Sequence, residues 1–263
     1  MDKKEESAID HLPFGWDSPH EAGLRLASCQ EKDIGTLYHS FVEMDDLAGT
    51  AQRIFDPFSY RAVQETRLVP VGLGEAGMLA RHMPIVWIHD MVGGLQAVAL
   101  RGLDPQRIPA AARSGPLPLL LQAYPFRFRA FETGDFEIGL ERILPRRERD
   151  DGSYIIDRQG HVLPGAAMKI AALEAFREDH ETLRALSRAL QDSALVEELR
   201  LPETIAGIPG LPRMFAARED ADLPLLMRGL AQSHLALATR FIVAQRVSLY
   251  RMHRLISAMG GSG

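Results

Sequence analysis

The middle third of the chain carries short apolar runs that are typical of β-strands. Leu68–Val71 is one such run, and Pro84–Ile88 is rich in β-branched and aromatic residues, as strands usually are. Gly93-Gly94 then indicates a turn, and Leu95–Leu100 is the expected return strand. This pattern predicts a β-hairpin.

A second hairpin is predicted further along. Tyr124–Phe131 alternates apolar and basic side chains, as a half-buried strand does. Phe136–Leu140 can pair with it across the turn at Thr133–Asp135. Another strand is expected at Tyr154–Asp157, where Gln159-Gly160 marks the next turn.

After Pro164 the apolar period changes from that of strands to that of helices. The first predicted helix carries a stripe at Ile170, Leu173, Phe176, His180, Leu183, Leu186 and Leu190. A connector rich in glycine and proline, Gly207–Pro212, interrupts the pattern. The second predicted helix spans about Asp222–Ser257, and its stripe is Leu223, Leu226, Leu230, His234, Leu237, Phe241 and Ala244.

The beginning of the chain gives mixed signals, and short helices are predicted over Asp17–Ser28 and Leu37–Ile54. Strands and helices are otherwise segregated along the chain, which favours an α+β fold over a doubly wound sheet. We expect an antiparallel β-rich central region followed by long C-terminal amphipathic helices. The predicted units are a helical or irregular segment (1–65), a β-rich region (66–165), a helical region packed on it (166–257) and a flexible tail (258–263).

Charge and cysteine usage narrow the function classes. The net charge is -5, so no strong basic field attracts a phosphate backbone, and we expect no nucleic-acid partner. Cys29 is the single cysteine of the sequence, which excludes an intramolecular disulfide and fits a reducing compartment. No apolar run is long enough to span a membrane, and no secretory signal follows the charged N-terminus. We therefore expect a cytoplasmic protein, and no motif calls for a cofactor.

One segment, Gly72–Gly77, matches the dinucleotide motif G-x-G-x-x-G. In such a site the glycines let the backbone approach a pyrophosphate, and a helix N-terminus binds the charge. Only six residues separate Gly77 from the strand that begins at Pro84, whereas a parallel crossover needs about a dozen. A glycine-rich turn between strands is therefore favoured over a nucleotide site.

Histidines offer an alternative chemistry. His82 and His89 flank the strand at Pro84–Ile88, and together with Asp90 they would form a divalent metal site if His161 converged on them. A histidine packed with one hydrogen bond is the more common situation. The metal site is therefore kept as the alternative hypothesis.

A polar pair at a strand entrance is a candidate ligand site. Tyr124 and Arg127 can bind a carboxylate or a carbonyl oxygen through their hydroxyl and guanidinium groups. The interpretation that Tyr124 anchors the strand to the core is favoured over the ligand site.

Several short blocks, in this order, resemble the SapC family: Pro84–Trp87, Val98–Leu103, Tyr124–Phe126 and the turn Tyr154–Gly160. The resemblance covers roughly residues 68–255 and implies long closing helices, which the pattern also predicts. The family takes its name from a bacterial surface layer, and the resemblance transfers no catalytic residue. It implies a role in a surface-associated or modification pathway.

Three hypotheses about function remain at this stage. The first is a non-catalytic binding or accessory protein for a protein, peptide or small molecule. The second is an enzyme with an unrecognised, metal-dependent site at His82, His89 and His161. The third is a homo-oligomer that pairs through its C-terminal helices, along the stripe from Leu223 to Phe241.

Overall fold

A computed structural model describes residues 42–47, 53–90, 93–103, 115–130, 136–141, 151–208, 210–219, 230 and 234–260. The strands within these residues are β1 (Val42–Glu43), β2 (Arg53–Ile54), β3 (Leu68–Pro70), β4 (Ile85–His89), β5 (Leu95–Leu100), β6 (Phe126–Ala130), β7 (Phe136–Leu140), β8 (Ser153–Tyr154), β9 (Val196–Glu198) and β10 (Phe215–Ala217). The helices are α1 (Arg61–Glu65), α2 (Ala76–Leu79), α3 (Leu119–Ala123), α4 (Pro164–Asp192), α5 (Glu203–Ala206), α6 (Leu235–Ser248) and α7 (Met252–Gly260).

The described strands pair antiparallel and form three sheets. The largest sheet has the strand order β3-β5-β4-β10-β9, the second has the order β1-β7-β6, and β2 pairs with β8. Both predicted hairpins are present, β4 with β5 and β6 with β7. The α+β class and the antiparallel central region are therefore confirmed.

The turn between β4 and β5 shows why the sequence predicts this hairpin well. Gly93 has a φ of +83°, a left-handed conformation that glycine adopts without steric cost. The amide of Gly94 donates to the Asp90 carboxylate at 2.7 Å, which closes the turn. Register follows from the turn, and Trp87 lies opposite Ala97.

The helix predicted over Leu37–Ile54 is wrong where the chain is described. Val42–Glu43 forms β1 and pairs with β7, and Arg53–Ile54 forms β2 and pairs with β8. Both pairings are with strands about a hundred residues away, so tertiary pairing overrides the local helical pattern. The helix predicted over Asp17–Ser28 lies outside the described residues.

Helix α4 confirms the first predicted helix and connects two parts of the core. Leu173 and Phe176 pack in the cluster that contains Tyr60 and the start of β6. Leu183, Leu186 and Leu190 pack in the cluster around Trp87 of the large sheet. Thus one apolar stripe of α4 serves both clusters.

The second predicted helix is present from Leu235 onward, and its earlier part, with Leu223 and Leu226 of the predicted stripe, lies outside the described residues. A 3₁₀ turn, Leu249–Arg251, joins α6 to α7, so the chain is helical from Leu235 to Gly260. The predicted stripe is partly wrong, because Leu237 is 42% exposed. The buried positions of α6 are Ala238, Phe241, Ile242, Gln245 and Ser248.

Two polar side chains explain this rotation of the buried face. Gln245 donates to the carbonyl of Ile85 at 3.1 Å and accepts from the amide of Ala217 at 3.3 Å. Ser248 accepts from the amide of Ile85 at 2.8 Å. Since these bonds satisfy backbone groups of β4 and β10, polar residues are required on the inner face of α6. A prediction from apolar periodicity therefore places the stripe incorrectly.

Within the described part of the chain, none of the helices combines the length and the apolar character needed to cross a bilayer.

Candidate functional site

An open cavity of about 760 Å³ lies between the end of β10 and the outer side of α6. This cavity, which we call the α6 groove, is within the size range of ligand and peptide sites. The helix contributes Ile242, Val243, Val247 and Tyr250 to its walls, and the sheet side contributes Arg218 and Glu219. The groove is therefore charged along the sheet and mainly apolar along the helical side, which also contributes the polar side chains of Thr239, Arg246 and His253.

The helix wall of the groove exposes three large apolar side chains. Val243 is 57% exposed, Val247 is 54% exposed and Tyr250 is 82% exposed. Val243 and Val247 lie four residues apart on α6, and Tyr250 follows in the 3₁₀ turn Leu249–Arg251 and lines the same cavity. The inner side of α6 is already packed on the sheet, so this second apolar stripe is not needed for the core.

Arg246 holds the charged wall of the groove in place. Its guanidinium donates to the carbonyl of Ala217 at 2.8 Å, to Glu197 at 3.1 Å and to the carboxylate of Glu219. These bonds connect α6 to β10 and to its neighbour β9, which is the edge strand on this side of the large sheet. The charged wall of the groove is therefore bonded to regular secondary structure.

Two further cavities continue from the α6 groove along the edge of the sheet. One, of about 470 Å³, shares Arg218 and Glu219 with the groove. The other, of about 580 Å³, shares Glu197 with its neighbour and ends near Leu211. The three cavities thus follow β9, which is the last strand of the described sheet.

The predicted ligand pair is located inside the protein. Tyr124 has no exposed surface and Arg127 is 4% exposed. The Tyr124 ring packs edge-on against Tyr60 at 5.0 Å, and its carbonyl accepts from the Lys169 ammonium group at 2.7 Å. This environment matches the anchoring role of Tyr124, and a ligand-binding role for the pair remains a prediction.

The three candidate metal ligands are not brought together. His89 is the last residue of β4 and His82 precedes the strand, so the length of β4, roughly 13 Å, lies between them. The His89 ring contacts the Gly93 carbonyl oxygen at 3.1 Å, and the His161 ring lies 3.2 Å from the Asp157 carboxylate. Within the described residues, no three His, Cys, Asp or Glu side chains are grouped as a metal ion requires.

The glycine motif binds carboxylates of its own chain. The amide of Gly72 donates to the Glu75 carboxyl at 2.7 Å, and the amide of Gly74 donates to the Asp179 carboxylate at 2.6 Å. The second oxygen of Glu75 accepts from the amide of Leu119 at 2.7 Å. Backbone groups that would contact a phosphate in a nucleotide site are therefore occupied, and the segment is a turn that docks on α4.

Burial changes the acidity of two groups near this turn. Desolvation raises the pKa of Glu75 to about 7, although two backbone amides oppose the change. Desolvation also lowers the pKa of His180 to about 4, and nearby Arg184 adds to the effect. Raised or lowered values often mark active sites. Here both Glu75 oxygens are occupied by backbone amides, which is the environment of a structural carboxyl.

Sequence reasoning did not identify the α6 groove. Its signal was available in the second helical stripe, Val243, Val247 and Tyr250, which is offset from the stripe that was read as the core. The charged wall could not be inferred, because β10 carries no clear strand pattern in the sequence.

The described fold and groove define an α+β protein with an open apolar site beside its C-terminal helices. The family model SapC matches residues 51–220, and the chain therefore belongs to the SapC family. No curated protein and no solved structure matches the chain.

Proposed function

We propose that this protein is a non-catalytic binding protein that holds a protein partner in the α6 groove. The observation that carries the proposal is the exposed apolar stripe Val243, Val247 and Tyr250, which forms one wall of the cavity of about 760 Å³. Following the family resemblance, we assign this binding to an accessory role in a surface-associated or modification pathway, within the cytoplasm.

The argument rests on the cost of exposed apolar surface. Single exposed apolar residues are ordinary, but a contiguous patch with a polar rim is typical of an interaction site. Here three such residues are adjacent on one helix, and Arg246 and Glu219 supply polar groups at the rim. Tyrosine and arginine are also the residue types that contribute most often to binding hot spots.

Rigidity of the wall supports a preformed site. Gln245 and Ser248 fix the inner side of α6 to the large sheet, so the exposed side is held in one orientation. A fixed apolar wall lowers the entropy cost of binding, because the surface needs no ordering when the partner arrives.

The test compares two aspartate substitutions on exposed apolar residues. Val247→Asp places a charge in the groove, whereas Met168→Asp places one on α4 at a residue that is 76% exposed and does not line the groove. Partners captured from the source cells by the full chain are identified, purified and titrated against each variant. Burial of one apolar side chain contributes about 1.5–3 kcal/mol, so Val247→Asp should weaken binding by about 10-fold or more.

The control decides how the result is interpreted. Met168→Asp should leave the affinity of the purified partner unchanged, and circular dichroism should show both variants folded. The proposal is wrong if the purified partner binds the Val247→Asp variant as tightly as the original protein.

A further inference from the structure

The exposed stripe of the α6 groove is longer than its three apolar members. Arg240, Val243, Val247, Tyr250 and Arg254 are all exposed and follow one another at intervals of three, four, three and four residues. That alternation is the spacing of the contact positions in helix pairs of the coiled-coil type. The surface is therefore an apolar seam with an arginine at each end.

The charge of this helical segment is one-sided. Residues 234–260 contain four arginines and no aspartate or glutamate, in a chain whose net charge is -5. Among the arginines of this segment, Arg246 is the one that forms described ion pairs, with Glu197 and Glu219. Arg240 and Arg254 stand fourteen positions apart, which corresponds to about 21 Å along a helix.

A second copy of this chain does not fit the seam. A twofold dimer places the same patch of both subunits in contact, so arginines would face arginines across the seam in either helix direction. Like charges at the flanks of a helix pair are destabilising.

An anionic membrane fits the shape of the surface less well than a helix does. The apolar members of the seam line a concave cavity, and the opposite wall carries the exposed carboxylate of Glu219. A lipid surface would have to enter the groove and pass that carboxylate, whereas a helix of about 10 Å diameter can lie along it.

We propose that the occupant of the α6 groove is an amphipathic helix of a partner protein that carries an acidic residue at each end of its apolar face. This inference rests on the proposed function and specifies the partner's chemistry. The apolar face covers Val243, Val247 and Tyr250, and the two acidic residues pair with Arg240 and Arg254.

The probes are three fluorescent synthetic peptides of about 20 residues, long enough to form a helix. They share one leucine seam, and the ends of the seam carry glutamates, lysines or glutamines. Fluorescence anisotropy with the full chain should show the glutamate peptide binding about 10-fold or more tightly than the lysine peptide. The difference should shrink as salt is added, since exposed charges are screened.

The Arg240→Glu, Arg254→Glu double variant provides the decisive comparison. It should reverse the preference, so that the lysine peptide binds more tightly than the glutamate peptide. Val247→Asp should abolish binding of all three peptides, and Met168→Asp should leave all three affinities unchanged.

The other occupants are separate outcomes of the same experiment. Equal binding of glutamate and lysine peptides would refute the acidic helix but leave the groove as a docking site. Failure of the glutamate peptide to bind at about 1 mM also refutes the inference. The inference is likewise refuted if the protein floats with phosphatidylcholine vesicles that contain phosphatidylglycerol and Val247→Asp abolishes this flotation. It is also refuted if light scattering shows a dimer that the same variant dissociates.

Discussion

Replacing Glu75 with glutamine should change how the stability of the protein depends on pH. Glu75 is 5% exposed, and its two oxygens accept from the amides of Gly72 and Leu119. The carboxyl therefore connects the glycine turn to the first residue of α3. Desolvation by burial is the largest influence on this group and raises its pKa from the ordinary 4.5 to about 7.

The direction of the pH dependence follows from which state, folded or unfolded, releases the Glu75 proton first. As pH rises, the unfolded chain loses the Glu75 proton near its ordinary pKa of 4.5, while the folded protein keeps it until about pH 7. The free energy of unfolding therefore falls between these two pH values and is constant above them. Raising the pKa from 4.5 to about 7 corresponds to a loss of roughly 3 kcal/mol.

Glutamine is neutral at every pH, so Glu75→Gln removes this dependence. Its amide nitrogen cannot accept from a backbone amide, and one buried donor loses its partner at a cost of about 1–2 kcal/mol. We expect the variant to be less stable than the original protein near pH 4.5 and equally or more stable near pH 8.

Urea unfolding, followed by tryptophan fluorescence at several pH values, measures this crossover. Glu174→Gln, which changes an exposed carboxylate on α4, is the matched control and should show no crossover. A constant difference between the Glu75→Gln variant and the original protein from pH 4.5 to pH 8 would refute the claim that burial raises the pKa of Glu75.

Three further substitutions test other parts of the structure. His180 is buried, its Nδ1 atom has no hydrogen-bond partner, and burial lowers its pKa to about 4. The free energy of unfolding of the original protein should therefore fall as pH drops from 6.5 to 4. His180→Leu should remove that loss in acid unfolding curves. Gly72→Ala places a Cβ atom 3.2 Å from the Cβ of Asp179, whereas Gly77→Ala meets nothing within 4 Å, so the first should lower the melting temperature and the second should leave it unchanged or raise it. Gln245→Leu leaves the buried amide of Ala217 without its partner and leaves the Ile85 carbonyl with only the 3.4 Å contact from Ser248, so it should cost about 1–3 kcal/mol in urea unfolding; a loss below about 0.5 kcal/mol would contradict the bridging role.

The elements that the sequence predicts correctly are those with local signals. The hairpin of β4 and β5 combines a β-branched run with a glycine turn, and Gly93 needs its left-handed conformation whatever surrounds it. Helix α4 repeats its apolar stripe over 29 residues, so single exceptions do not obscure the period. Such patterns require no knowledge of distant contacts.

The incorrect predictions depend on partners that are far away in the chain. Val42–Glu43 becomes a strand because β7 lies beside it, and the inner face of α6 includes Gln245 because β4 and β10 present backbone groups there. None of these contacts leaves a periodic trace in the sequence.

The glycine motif and the α6 groove differ in how their polar groups are used. A G-x-G segment in a nucleotide site keeps its amides open for phosphate, but here Glu75 and Asp179 occupy them and fix the turn to α3 and α4. The backbone amides of the glycine turn therefore stabilise the fold in this protein. The arrangement beside α6 is different. Gln245 and Ser248 bond to backbone groups of the sheet on the inner side. Val243, Val247 and Tyr250 remain exposed on the outer side, although their burial would stabilise the fold. Among the described residues, these exposed apolar side chains are what an external partner would cover, and our proposal of a binding function rests on them.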